Sequence, residues 1–365
     1  MIEYIVKRCL YVIPTLLGIL AVNFVLVQFA PGGPVEQVVS RLEGTGDRML
    51  QRVTGTEGDG METVETSIDT TRKYRGAQGV SDELIQEIEK RFGFDRPMHE
   101  RFFLMLGQYL RFDFGQSFFR DRSVVEMIVE KMPVSISLGL WSTLFIYLFS
   151  IPLGVKKAVT HGSRFDVWTS FVVVIANSIP VFLFAVLLIV FFAGGTYLNW
   201  FPLQGLTSDG FEGLPFMGKV LDYFHHMALP ILSMTIGGIA GFSMLTKNCF
   251  LDEIHRQYVT TARAKGATEK RILFGHVFRN AMLIVISGLP GTFIGILFTG
   301  SMMIEVIFSL DGLGLMGFEA TMNRDYPVMF ASLYISTLMG LFIKLISDIT
   351  YMVVDPRIHF DSRKA

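Results

Sequence analysis

The sequence lacks most of the residues and motifs on which soluble enzymes depend. It has only two cysteines in 365 residues, Cys9 and Cys249, so it predicts neither a disulfide framework nor a cysteine-rich metal site. It contains no G-x-x-x-x-G-K-[ST] phosphate loop, no H-E-x-x-H and no G-x-S-x-G, the signatures of ATP-binding, zinc-protease and serine-hydrolase sites. We therefore expect no catalytic residue, no metal and no cofactor on this chain, and no nucleic-acid partner.

Charge is also scarce, and apolar residues take its place. Charged residues make up 18% of the chain, hydrophobic residues 51%, and phenylalanine alone occurs 33 times. The mean hydropathy of +0.46 is too high for an ordinary soluble domain. Long apolar runs predict an all-α integral membrane protein with six transmembrane helices. These runs cover residues 9–29, 134–155, 168–192, 228–245, 282–304 and 328–354.

The first run follows Lys7 and Arg8, which is also the arrangement of a secretory signal peptide. At 21 residues it is longer than a signal-peptide core, and it ends in Ala-Pro-Gly-Gly with no A-x-A cleavage site. At about 1.5 Å per residue it can cross the roughly 30 Å hydrocarbon core. We therefore interpret it as a membrane span.

The short loops between spans differ in charge, and this difference predicts the orientation of the chain. Basic residues follow the second, fourth and sixth runs, whereas the opposite short loops hold essentially Lys219 and Arg324. By the positive-inside rule, both termini lie in the cytoplasm. The basic loop residues are Lys156, Lys157 and Arg164, those from Lys247 to Arg279, and Arg357, Arg363 and Lys364.

The long loop at residues 30–133 would then be a periplasmic region with two parts. Residues 40–81 are rich in Gly, Thr and charge and predict a mobile segment, whereas residues 82–131 have a helical pattern. Pro97 is placed to open one helix, and the S-x-x-E box at Ser123 to open another that ends at Pro133. We expect residues 1–29 to be an N-terminal span, 134–354 a five-helix core and 355–365 a cytoplasmic tail.

One charged stretch, residues 251–281, lies between two apolar runs and is the main candidate for a functional surface. An apolar stripe at helical spacing predicts a helix that ends at Gly266, and Thr268 can cap a second one. Small and basic residues surround this glycine corner, where another surface could approach the backbone. The stripe consists of Leu251, Ile254, Tyr258 and Ala262.

Two further features lie within the predicted spans, where polar residues are costly. Asn177 and Ser178, with Pro180, interrupt the third span and are candidates for lining a pathway. Lys344 and Asp348 are four residues apart on the sixth span and can form an ion pair. They leave open an alternative function, an ion-coupled secondary transporter or channel.

The glycines at 312, 314 and 317 spell G-x-G-x-x-G, but we interpret them as a turn, since no strand precedes them.

The stretch YVTTARAKGATEKRILFGHVFRNA resembles the cytoplasmic coupling segment of permease subunits of ABC importers, in the dipeptide and oligopeptide family. The resemblance extends through PTLLGILAVNFVLVQFAPGGP, RFGFDRP, E-x-I-F, GLG, RDYPV and DPR, which is nearly the whole chain. The family pattern E-A-A-x-x-x-G falls on Thr260, Thr261, Ala262 and Gly266, so its acidic residue and first alanine are absent here. The polar insertion and the length are similar to the subgroup whose cargo includes the peptide-nucleotide antibiotic microcin C.

The resemblance implies a type I importer permease fold in the bacterial inner membrane, with no enzymatic activity on this chain. It implies a second related permease, two ATPase subunits that bind ATP and magnesium, and a periplasmic substrate-binding protein. It places ATPase docking on Tyr258, Thr260, Thr261, Ala262, Arg263, Ala264, Lys265 and Gly266. A membrane-anchored enzyme is the remaining alternative, but the chain offers no constellation of nucleophile, base or metal ligands.

Overall fold

The computed structural model of the protein describes residues 2–29, 96–120, 122–194, 197–295 and 302–354. Within these ranges the regular structure is helical, apart from one antiparallel bridge between Gln116 and Ser123. An all-α fold is confirmed for this part of the chain. The α-helices are α1 Ile2–Phe29, α2 Met98–Leu110, α3 Val124–Val159, α4 Arg164–Ser178, α5 Val181–Phe192, α6 Phe216–Ile254, α7 Gln257–Ala264, α8 Glu269–Ile272, α9 Phe278–Gly295, α10 Met302–Ile307, α11 Leu313–Met322 and α12 Tyr326–Val354. A π-helix, Leu273–Val277, joins α8 to α9.

Up to six of these segments can cross a membrane, in agreement with the six predicted spans. Five stretches are long and apolar enough on their own, and the pair α4 and α5 passes the same test together. The five are Val6–Val25, Val124–Val159, Phe216–Ile254, Glu269–Phe293 and Tyr326–Thr350. The fifth predicted span, 282–304, is described only in part, because residues 296–301 lie outside the described ranges.

The third predicted span is broken, as its polar residues indicated. Helix α4 ends at Ser178, α5 begins at Val181, and their axes are bent by 94°. Ile179 has an extended backbone with ψ 120°, which agrees with the steric bias that a following proline imposes. Pro180 then takes the N-cap position of α5. The chain therefore changes direction in the middle of an apolar region.

The chain does not break at Pro133, where we expected a short helix to end. Helix α3 runs without interruption for 36 residues and contains both Pro133 and Pro152. Proline removes one helical hydrogen bond. Burial of Ile128 before Pro133, and of Val134 and Leu138 after it, favours continuation enough to offset that loss.

Most of the predicted periplasmic region, including the segment 40–81 and the helical stripe before residue 96, lies outside the described residues, as does the tail 355–365. Helix α2 begins directly after Pro97, as predicted. Residues 13–125 form one compact unit, in which the rings of Tyr109 and Phe114 meet edge to face at 5.0 Å. Residues 1–12 and 126–365 form the other unit.

The second unit has two apolar cores along its helices. The first core joins the N-terminal half of α3 to α5, to the N-terminal half of α6 and to α10. The second core joins the C-terminal half of α3 to the end of α6, to α7, to α8 and to the start of α9. The stretch 251–281 therefore belongs to a packed core and is not a free interhelical loop.

Glycines allow α3 and α6 to approach closely, but Gly241, which belongs to a helix-packing motif, is not one of them. Gly237 and Gly241 have the small-x-x-x-small spacing of close helix packing. A methyl group on Gly241 would meet nothing within 4 Å. On Gly154 it would lie 2.5 Å from Thr246 Cβ and 2.7 Å from the Ser243 carbonyl oxygen. Gly154 of α3 therefore makes one close contact, and Gly238 of α6 makes another, since a Cβ atom there would meet the Ile146 side chain of α3.

Replacing Gly154 with alanine should destabilise the protein by about 1–3 kcal/mol, because backbone atoms of α6 must move to admit the methyl group. Gly241→Ala is the matched control, and it should leave stability unchanged or slightly raised, since alanine favours helix. The melting temperature of the detergent-purified protein measures both effects. Equal loss in the two variants would contradict the assignment of the close contact.

Candidate functional site

The stretch 251–281 has the predicted helix, glycine corner and helix. Helix α7 ends at Ala264, and Gly266 follows with φ +78°, a left-handed conformation that suits glycine. The Gly266 N–H donates to the Arg263 carbonyl oxygen at 3.0 Å, which closes the turn. Thr268 then caps α8, because its hydroxyl accepts from the Arg271 N–H at 3.4 Å. The local signals in the sequence therefore specify the corner.

The apolar stripe that we assigned to one helix is divided between two. Helix α6 ends at Ile254, and Arg256 has an extended backbone, with ψ 148°, before α7 begins. Glu253 spans this break, since its carboxylate accepts from the Tyr258 hydroxyl at 2.7 Å. Burial and this hydrogen bond both raise the pKa of the Tyr258 phenol. All four stripe residues still pack against the second core; they are Leu251, Ile254, Tyr258 and Ala262.

An ion pair braces the glycine corner from outside. The Arg263 guanidinium donates from Nε to one oxygen of Glu269 at 2.6 Å and from Nη2 to the other at 3.0 Å. Both side chains are exposed, so solvent screens the pair and it adds little to global stability. Its two hydrogen bonds join the end of α7 to the start of α8 across the corner.

The face of α7 that points away from the core is small and partly cationic. Val259 is buried beneath it, and Tyr258 and Ala262 are half-buried. The remaining predicted docking residues are exposed: Thr260, Thr261, Arg263, Ala264, Lys265 and Gly266. A second protein could approach this backbone closely, since only Arg263 and Lys265 in this set carry long side chains.

The π-helix at Leu273–Val277 was not predicted. Its flanks Ile272 and Val277 are both buried in the second core, which holds the extra residue of this wide turn in place. Gly275 at its centre is the one local signal for irregular backbone in this turn. Single π-turns are frequent at functional sites. Here the turn connects the glycine corner to the span formed by α9.

The candidate pathway residues do not come together. Asn177 and Ser178 are exposed at the break between α4 and α5, where the Ser178 hydroxyl donates to the Val174 carbonyl oxygen at 2.8 Å. The predicted pair of Lys344 and Asp348 is wrong, because Asp348 lies 2.9 Å from the Arg8 guanidinium. Among the residues that the structure describes, Lys344 is exposed and forms no ion pair.

A buried carboxylate explains the glycine motif that we interpreted as a turn. Glu305 is fully buried and accepts hydrogen bonds from the Ser135 hydroxyl at 3.0 Å and the Leu315 N–H at 2.7 Å. A Cβ atom on Gly312 would lie 2.4 Å from that carboxyl group, and one on Gly314 at 3.1 Å. The glycines therefore make room for Glu305. Sequence spacing could not reveal this contact with α3, since Ser135 is 170 residues away from Glu305.

A second buried polar group was also missed: Lys247 of α6 pairs with Asp166 of α4 at 2.7 Å. Within the described ranges, no group of three or more His, Cys, Asp or Glu side chains is placed to hold a metal ion. The arrangement thus combines an exposed face of small residues, packed on a core, with a broken span.

The fold and this segment define a transport permease of the inner membrane, and the relatives identify its family. Residues 150–360 match the family model described as "Binding-protein-dependent transport system inner membrane component". The chain belongs to this family, whose members are permeases of ABC transporters and not enzymes. Membership implies a partner permease, an ATPase and a substrate-binding protein, and it agrees with the predicted importer fold.

Full-length relatives place the chain close to the permeases called YejB. It is 56% identical to the "Inner membrane ABC transporter permease protein YejB" of Escherichia coli O157:H7, over 99% of each chain. It is 54% identical to the "Peptidoglycan transport system permease protein YejB" of Agrobacterium fabrum, again over 99% of each. It is 33% identical to the "Oligopeptide transport system permease protein AppB" of Bacillus subtilis, over 99% of this chain and 100% of that one.

Replacing Gly266 with alanine should loosen the corner, because a side chain in the left-handed region costs roughly 1–2 kcal/mol. Amide hydrogen exchange across residues 257–272 should then become faster, as read by mass spectrometry of the purified protein. Gly275→Ala is the control, since a Cβ atom there would come no nearer than 3.9 Å to Arg271. Unchanged exchange in Gly266→Ala would contradict the role of the glycine.

Proposed function

We propose that this chain forms half of the translocation pathway of an ATP-driven importer for oligopeptides or peptide-containing compounds. The observation that carries the proposal is the exposed small-residue face of α7, held by Val259 and Ile272 against the second core. Two ATPase subunits would each dock on such a face, one on each permease. Closure of the ATPases would then rock the two permeases between inward-open and outward-open states.

The nature of the cargo is proposed from the relatives. Their names refer to oligopeptide transport and to peptidoglycan transport, which share peptide as a chemical class. A polar peptide backbone cannot cross hydrocarbon unaided, because its N–H and C=O groups would lose their hydrogen bonds. A lined pathway and an external energy source are both required, and the chain has no phosphate loop of its own.

Both chain ends and the docking segment would face the cytoplasm. The loop charges support this orientation by the positive-inside rule. The ion pair of Arg8 with Asp348 supports it too, since it joins the start of α1 to the last turns of α12 and so sets the two termini at one end of the spans. The same ion pair weakens the ion-coupled alternative, because it neutralises Asp348 within the chain.

The break between α4 and α5 would face the pathway or the second, related permease of a heterodimer. A helix that ends inside the hydrocarbon region leaves backbone carbonyls without helical partners, and lipid cannot satisfy them. Asn177 and Ser178 are exposed at this break. Protein or water from outside this chain must therefore cover them, and a peptide pathway between two permeases supplies both.

A cysteine at position 177 should react with a charged, membrane-impermeant maleimide several times faster than one at position 172. Val172 is also exposed, but it lies five residues earlier on the same helix, which places it about 140° around the helix axis from position 177. The measurement uses the whole importer in proteoliposomes, with Cys9 and Cys249 replaced by serine. Equal rates at the two positions would contradict an aqueous pathway at the break.

The docking face is tested by Thr261→Glu, with Thr321→Glu as a matched control. Each threonine is exposed on a helix, and each hydroxyl donates to the carbonyl oxygen four residues earlier. Thr261→Glu should abolish co-purification of the ATPase and ATP-driven peptide uptake, because a bulky anion blocks close approach. Thr261 is a better position for this test than Ala262, because Ala262 also packs on the core.

Thr321→Glu lies on α11, far along the chain from the docking face, and should retain its ATPase. If the Thr261→Glu protein co-purifies with the full amount of ATPase, α7 is not the docking site.

A further inference from the structure

A buried ion pair links the helix before the docking segment to the helix before the break. The Lys247 ammonium group lies 2.7 Å and 2.8 Å from the two carboxylate oxygens of Asp166. The Gly162 N–H donates to the same carboxylate at 3.1 Å, and His161 Nδ1 lies 3.2 Å from it. Asp166 is 4% exposed and Lys247 is 7% exposed. Water does not screen this pair effectively, so its geometry is firmly set.

The cluster holds one more cation than it has anions. Lys157, on α3, is fully buried, and its ammonium group has no hydrogen-bond partner. Gly154, three residues before Lys157 on the same helix, contacts Thr246, the neighbour of Lys247, so Lys157 lies near this ion pair. His161 is exposed to solvent, so it is not counted among the buried charges. Two buried lysines therefore share the single carboxylate of Asp166, and only Lys247 is bonded to it. An unpaired buried ammonium group is costly, and stability alone does not favour keeping one.

The three residues lie on three different helices, which lead to the docking segment and to the break. Lys247 lies seven residues before α6 ends at Ile254, from which the chain leads directly into the docking face. Asp166 lies in the first turn of α4, which runs about 22 Å to the break at Ser178. Lys157 lies in the last turn of α3, which is packed on α6 through Gly154. A shift of α6 against α3 would change which lysine is nearer to Asp166.

We propose that Asp166 exchanges its partner from Lys247 to Lys157 during the transport cycle, so that these three positioning residues transmit motion of the docking segment to the broken span. The inference rests on the proposed function, since it assumes ATPase-driven motion of the docking segment. In the present arrangement Lys247 holds α4 to α6. In the other arrangement Lys157 holds α4 to α3. Because two buried lysines are available, Asp166 has a partner in both arrangements.

Lys157→Met is the most direct test, because it should raise the stability of the importer and lower its transport per ATP. Methionine matches the length of lysine without the charge, so loss of the unpaired cation should raise the melting temperature of the importer by about 2–4 °C. The number of peptides transported per ATP hydrolysed should nevertheless fall by about fivefold or more, because the second arrangement loses its ion pair. A Lys157→Met importer that transports as many peptides per ATP as the unaltered one overturns the proposal.

Lys156→Met is the matched control. Lys156 is the neighbouring residue, exposed, with its ammonium group over the Phe165 ring at 4.4 Å. This variant should change neither the melting temperature nor the transport ratio. Loss of coupling in Lys156→Met equal to that in Lys157→Met would overturn the proposal as well, since cytoplasmic charge in general would then explain both.

A second set of variants keeps the test decisive if Lys157→Met fails to assemble. Asp166→Asn should reduce the amount of folded importer, because it leaves two buried lysines without an anion, whereas Lys247→Met should assemble, because Asp166 can then pair with Lys157. The Lys247→Met importer should still transport several-fold fewer peptides per ATP, because only one of the two arrangements keeps its ion pair, and normal coupling in it overturns the proposal. Failure of the unaltered importer to couple ATP to peptide uptake would instead overturn the proposed function, and this inference with it.

Discussion

The packing of the docking segment into the second core is the interaction on which the rest of the structure depends. Val259 and Ile272 are buried against the same apolar cluster as Phe250 at the end of α6 and Val155 at the end of α3. This core therefore joins α7 to the ends of α3 and α6, and the segment is not a free loop. Gly266 and the Arg263–Glu269 brace add a fixed angle at the corner, so the surface that another protein would contact has one shape.

The hydrocarbon environment supplies the second constraint. A membrane-spanning chain must satisfy every backbone polar group internally, and α3, α6 and α12 do so by running as long helices. The bend of 94° after Ser178 departs from this rule. The buried carboxylate of Glu305 is a further polar group in the apolar interior, and it is held by neutral donors. The ion pair of Asp166 with Lys247 joins α4, which leads to this break, to α6, which leads to α7.

The sequence predicts those parts of the fold that depend on composition and on neighbours in the chain. The spans follow from hydropathy, the corner follows from Gly266 and Thr268, and the break follows from Pro180. Contacts between distant residues could not be found in this way. Asp348 pairs with Arg8 rather than with Lys344, and Lys247 pairs with Asp166, because helix packing decides which side chains meet. The continuation of α3 through Pro133 has the same origin, since burial on both sides overrides a local signal.

This permease has no phosphate loop, and we propose that a separate ATPase drives it through α7. Native mass spectrometry of the complex purified through this chain is the decisive test. We expect one copy of this chain, one related permease and two ATPase subunits, with the ATPases lost when the docking face is altered. A chain that purifies without an ATPase and moves peptide across liposomes in the absence of nucleotide would contradict it.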